Sequence, residues 1–224
     1  MQRLCEHWRL RTAAGYIEIV VKLGTQMAPD VELLVATHEA VVKAIRGAIY
    51  PPGRRVQMQV AYCYLVIQHQ CAIAHLLDVK MTGPAFALAR PTFEALVKGL
   101  WLSRCATDEQ LERHAQGKEL DKLGDLVESL LDVDLPLVIT RSLHQVKSKY
   151  WKGLSSLTHM GHNQVRHWLS PNGVEADYPA AALHELANFA SFMSLVAGRE
   201  LALRGNNSEG VVLLTNMLPE APSE

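Results

Sequence analysis

From Val56 to Leu77 the chain carries no Asp, Glu, Lys or Arg. An uncharged run of that length is either a membrane-spanning helix or a long helix inside a soluble core. Its polar content decides between them. Gln57, Gln59, Gln68, His69, Gln70 and His75 all lie within it, and such side chains are costly in hydrocarbon. The run therefore reads as a central helix of a bundle, over residues 54–79, with no membrane segment.

A period of 3.6 residues governs the chain from residue 30 onward. Asp30 is suited to N-cap a helix running to about Arg46, which Tyr50-Pro51-Pro52-Gly53 ends. Pro84 opens a helix over 84–105 that Pro91 should kink. Thr107-Asp108-Glu109-Gln110 matches a capping box. Further helices are expected over 119–131, over 136–159, and from Pro179 to Gly205-Asn206-Asn207. Ser170-Pro171-Asn172-Gly173 reads as a loop. Residues 1–27 form an N-terminal extension. There Tyr16–Val21 is rich in β-branched residues, but no partner strand stands out, so we read helix. Residues 206–224 read as a loose tail with an apolar patch at Val211–Leu214. The expectation is an all-α, single-domain bundle of about seven or eight helices over 28–205.

Composition narrows the function classes. Hydrophobic residues make up 49% of the chain and charged residues 20%, enough to fill one core. The net charge of -1 supplies no field to steer nucleic acid or anionic lipid. Cys5, Cys63, Cys71 and Cys105 form no C-x-x-C pair, so we expect reduced cysteines and a cytoplasmic protein. Met1–His7 carries charges where a signal peptide needs an apolar stretch. No phosphate-cradling glycine loop, G-x-S-x-G or H-E-x-x-H occurs. No cofactor is implied.

Three helices carry polar and aromatic stripes. On ideal helices Gln57, Tyr64, Gln68 and His75 share one face, as do Arg90, Glu94, Val97 and Trp101. A third stripe holds His144, Ser148, Trp151, Ser155 and Thr158, with His159 at its edge. The apolar face of that third helix carries Ile139, Leu143, Val146, Tyr150, Leu154 and Leu157. Polar groups in apolar surroundings need partners or a task. We therefore expect Arg90, Glu94, Ser155, His159, His162, Gln68 and His75 around a polar pocket or buried cluster between helices. Ser155 and His159 stand four apart, yet a serine within a helix normally bonds back to its own backbone. His159 and His162 have H-x-x-H spacing, but the next acid is Glu175; no metal site is expected.

The wording Arg90-Pro91-Thr92-Phe93-Glu94, followed by Gly99-Leu100-Trp101-Leu102 and by Thr158-His159-Met160-Gly161, resembles an uncharacterised family of bacterial all-α proteins, a domain of unknown function. The likeness spans roughly 28–204. It implies a cytosolic helical protein in which Arg90, Glu94 and His159 match the R-P-x-F-E and T-H-x-G motifs. A looser likeness is to HEPN-type helical proteins, many of them defence ribonucleases, whose site places four to six residues between an Arg and the His that follows it. Arg3 with His7, Arg141 with His144, and Arg166 with His167 all miss that gap.

The expected function is a non-catalytic helical binding or regulatory module with an unidentified small-molecule or protein partner. The alternative is a hydrolase or ribonuclease of a bacterial defence or toxin-antitoxin system, with His159 or His162 as base. The alanine-rich last helix leads us to expect a homodimer.

Overall fold

The computed structural model describes residues 6–12, 15–21, 28–159, 161–170 and 173–220. The chain is all-α apart from two short hairpins among these residues. Strands β1 (Glu6–Thr12) and β2 (Gly15–Val21) pair antiparallel, with Trp8 opposite Ile19 and Leu10 opposite Ile17. This corrects the helical reading of residues 1–26. The missing partner of Tyr16–Val21 is the segment just before it, where apolar and charged residues alternate as Trp8-Arg9-Leu10-Arg11.

The helices are α1 (Pro29–Ile45), α2 (Arg54–Asp78), α3 (Thr82–Ala87), α4 (Ala89–Arg104), α5 (Asp108–Ala115) and α6 (Leu123–Ser129). They continue as α7 (Leu137–Gln145), α8 (Trp151–Thr158) and α9 (His162–Arg166), then α10 (Ala180–Arg204) and α11 (Ser208–Asn216). A two-residue hairpin, β3 (Leu169–Ser170) with β4 (Gly173–Val174), occupies the expected loop. The segments outnumber the expected helices because two long helices are interrupted and the tail is folded. Residues 208–216 form α11, capped by the Asn207 side chain and buried through Leu214, so the loose-tail reading is corrected.

Two breaks shape the molecule. The first is the Pro91 kink. Pro91 gives the Ala87 carbonyl no N–H and crowds it, so the helix parts at Leu88 into α3 and α4. Thr158 Oγ1 then lies 3.2 Å from the freed Ala87 oxygen and 3.0 Å from Leu154 O, donating across the helix interface. The second is a π-helical turn at Val146–Tyr150, between α7 and α8. It inserts one extra residue into what is otherwise a single helix over 137–158. The capping box at Thr107 and Gln110 forms as expected. At α1 the helix starts two residues earlier, at Pro29, with Ala28 at the N-cap. Asp30 instead holds His184 at the start of α10, at 2.9 Å.

The central helix is α10, which packs against α1, α2, α4 and α11. Of the small residues that suggested a second copy, Ala187, Ala190, Ala197 and Ala202 are buried among these neighbours, whereas Ala180 and Ala181 are exposed. Gly198 lets α10 approach α1 and α11: a Cβ there would lie 2.8 Å from Val41. Gly99 does the same between α4 and Tyr62 of α2. Phe93, Ile67, Leu96, Leu100, Met193 and Leu201 form the main core, and burial of each such side chain stabilises by about 1.5–3 kcal/mol. Leu34, Ile73, Phe86 and Leu186 form a second cluster. By length and composition α2 and α10 could cross a membrane, but here they pack on each other inside the bundle.

Cys63 and Cys71 are buried free thiols, and Cys105 is free and partly exposed; Cys5 lies outside the described residues. Burial pushes the Cys71 thiol up to about 12 and raises that of Cys63 as well. Thiol reagent at pH 8 should therefore modify Cys105 in native protein and leave Cys63 and Cys71 untouched. Unfolding without reductant should expose four thiols; two or fewer would reveal a disulfide.

Burial also lowers the affinity of His38 and His69 for a proton. Both are neutral in the fold, while the unfolded chain binds protons at the ordinary value of 6.5. Stability is therefore fully present above that pH and falls as the pH drops through it. Urea midpoints that hold constant between pH 7 and 5 would refute this.

Candidate functional site

The apolar face read from the sequence meets open space. A cavity of about 480 Å³ lies between the start of α4, the helix over 137–158 and α10. Val146, Tyr150, Leu154 and Leu157 supply one wall, and Leu186, Phe189, Phe192 and Met193 the other. Phe86 and Ala89 contribute where α3 meets α4. Ser142, Gln145, Glu185 and Asn188 add polar groups, and Pro219 of the C-terminal segment reaches the lining. This is the size and character of a small-molecule pocket. The π turn supplies Val146 and Tyr150, and such turns often mark functional positions.

Gly153 is the most telling lining residue. It sits inside α8, where glycine costs about 0.5–1 kcal/mol relative to alanine. A Cβ built there meets no atom within 4 Å. No close packing in the fold explains a glycine at this place, and the space above it is open. Gly153→Ala should stabilise the protein by about 0.5–1 kcal/mol. A loss in a thermal melt would show that the glycine serves the fold.

The polar stripe of the same helix points elsewhere, towards α4. Arg90 Nε donates to Glu94 Oε1 at 2.7 Å, and Arg90 Nη1 lies 2.5 Å from His159 Nε2. A guanidinium can only donate, so His159 Nε2 accepts and the ring carries its proton on Nδ1. The Arg90 guanidinium also lies 4.5 Å from the Trp151 ring centroid, with Lys147 Nζ at 4.8 Å. Trp151 leans on Phe93, their centroids 6.2 Å apart. Arg90, Glu94 and His159 are thus joined, but at the surface: the Arg90 and Glu94 side chains are 22% and 27% exposed, and His159 is exposed. Together with the Thr158 bond to Ala87, they clamp α8 onto α4.

The other expected residues do not join them. Ser155 Oγ donates to Trp151 O at 2.8 Å, bonding back to its own helix. His162 is exposed at the first position of α9. His75 and Gln57 are exposed on α2, Gln68 is half-buried, and the Tyr64 hydroxyl lies 3.5 Å from that of Tyr50. The three stripes therefore do not enclose one polar pocket, and the cavity between α4, α8 and α10 is mainly apolar. No group of three or more metal-ligating side chains occurs among the described residues.

The sequence reading missed the most buried polar network. Glu200 has no exposed surface. Its Oε2 accepts from Arg104 Nη2 at 2.5 Å and from Gln59 Nε2 at 3.2 Å, and its Oε1 from Arg199 Nη1 at 2.7 Å. Arg204 Nε donates to Gln59 Oε1 at 2.6 Å. The signal was present: between Glu185 and Arg199 α10 carries no charge, so a carboxylate following that run on a core helix needed buried partners.

No curated protein and no solved structure matches the chain. A family model matches residues 63–215, from within α2 to the last turn of α11, leaving β1, β2 and α1 outside. The chain therefore belongs to a family of unknown function, DUF6988.

Proposed function

We propose that the protein is a non-catalytic binding module that takes one small, largely apolar molecule into the cavity between α4, α8 and α10. The supporting observation is Gly153, a helical glycine unsupported by packing, standing over open space in the cavity wall. In this reading Arg90, Glu94 and His159 hold that wall in place and do not face the ligand. Glu94→Ala, at a part-exposed pair, should then cost only about 0.2–1 kcal/mol. Cys63, Cys71 and Cys105, free among the described residues, support a cytoplasmic setting. We assign self-association to the outer face of α11, where Val212, Leu213 and Met217 are exposed; a monomer by light scattering at micromolar concentration removes it.

Native mass spectrometry tests the binding reading, with octanol as the apolar probe. Wild-type protein should take up one octanol per chain. Gly153→Leu fills the space and should take up none while melting no lower. Equal uptake by both proteins would refute the proposal.

A further inference from the structure

Resting on the binding reading above, we propose that the ligand is a hydrophobic monocation: an apolar body carrying an ammonium or comparable cationic head. The interior of the cavity is walled by Phe189, Phe192, Met193, Leu154 and Leu157, which offer an apolar body contact and no hydrogen bond. Among the described residues, charge enters the lining at one side chain only. Glu185 is exposed on the first turns of α10, and no described Lys, Arg or His lines the cavity. A second carboxylate, Glu220, directly follows the lining residue Pro219 and is exposed. The basic residues of the neighbouring helix do not contribute to the lining: Lys149 and Lys152 are exposed outside it, and Lys147 lies over the Trp151 ring.

The lining therefore discriminates by sign. An anionic head would enter beside a carboxylate with no cation to receive it. A neutral head would find only Ser142, Gln145 and Asn188. A cation finds Glu185 together with the half-exposed ring of Tyr150. An aromatic ring and a carboxylate lining one cavity each favour an ammonium group.

Three probes with one tail separate the head from the body: octyltrimethylammonium, octanol and octyl sulfate, each titrated calorimetrically as monomers. The ammonium should bind about tenfold more tightly than the sulfate, a difference of about 1.4 kcal/mol, with octanol between them. Glu185→Gln, an exposed substitution that leaves the core intact, should remove most of that preference. Glu185→Lys should reverse the order. If octanol binds and the sulfate equals or exceeds the ammonium in the wild type, the cationic-head inference is overturned and the cavity reading survives. If the preference persists in Glu185→Gln, the proposed recognition is overturned. If none of the three binds, the binding reading falls and this inference with it.

Discussion

Glu200→Ala is expected to destabilise the protein by about 3–5 kcal/mol, because it strands buried cations. The carboxylate is fully buried and takes hydrogen bonds from Arg104, Arg199 and Gln59, while Arg204 bonds Gln59 from the other side. Its removal leaves the Arg104 and Arg199 guanidinium groups around no anion, in surroundings of reduced polarity. The Arg104 and Arg199 side chains are too deep to turn out into water freely, being only 18% and 14% exposed. Glu200→Gln keeps an acceptor but loses the charge, and should fall between wild type and alanine. Urea unfolding with constant slope measures both. A loss below about 1 kcal/mol for Glu200→Ala would mean that water replaces the carboxylate and that the network is a surface feature. Arg104→Ala should be similarly harmful, since it also breaks the bond to Asp134 O. The double mutant should cost less than the sum, because the two residues share one interaction.

Phe93→Ala should cost about 3–5 kcal/mol, as for other large aromatic deletions from a core. Phe93 has no exposed surface and lies where α4 meets both the main core and Trp151. This change acts on function as well as stability. Trp151 is held between Phe93 and the cations of Arg90 and Lys147, and the same helix forms the cavity wall. Octanol uptake should therefore weaken even at temperatures where Phe93→Ala stays folded. A folded variant with unaltered uptake would separate the clamp from the wall. A stability loss under about 1 kcal/mol would mean that the site collapses around the vacated volume.

The helices were readable where punctuation was local. Thr107 with Gln110, Pro91, Pro179 and the Pro52-Gly53 break each act through their own backbone, so their effects show in the chain itself. Asp30 was misassigned because its partner, His184, stands on a helix at the far end of the sequence. The β1–β2 pairing is local, but the strand character of β1 lies in a short alternation, Trp8-Arg9-Leu10-Arg11, without the β-branched residues that mark β2. At the site, the motif residues Arg90, Glu94 and His159 do meet. Their burial was overestimated because helix spacing gives a face but not what covers it. The α2 stripe of Gln57, Gln68 and His75 illustrates this, being set on a face largely open to solvent. The cavity was invisible for a similar reason. Val146, Tyr150, Leu154 and Leu157 were read as an apolar face, and only the packing of α10 against α4 leaves part of that face uncovered.

The π turn at Val146–Tyr150 has a consequence for how this chain tolerates change in length. Each residue of an α-helix advances the next by about 100°. A deletion of one residue between Val146 and Tyr150 would restore an unbroken α-helix and rotate all of 151–159 by that angle. Trp151 and His159 would leave Arg90, and Leu154 and Leu157 would leave the cavity, without any side chain having been altered. The segment behaves as a gear with one tooth added: its correct meshing with α4 and α10 depends on residue number before it depends on residue type. A single deletion there should be more damaging than most substitutions, whereas the turn at Gln116–Lys122, which no helix spans, should absorb the same loss. Chains related to this one are expected to vary in length at that turn and to keep the 146–150 count fixed.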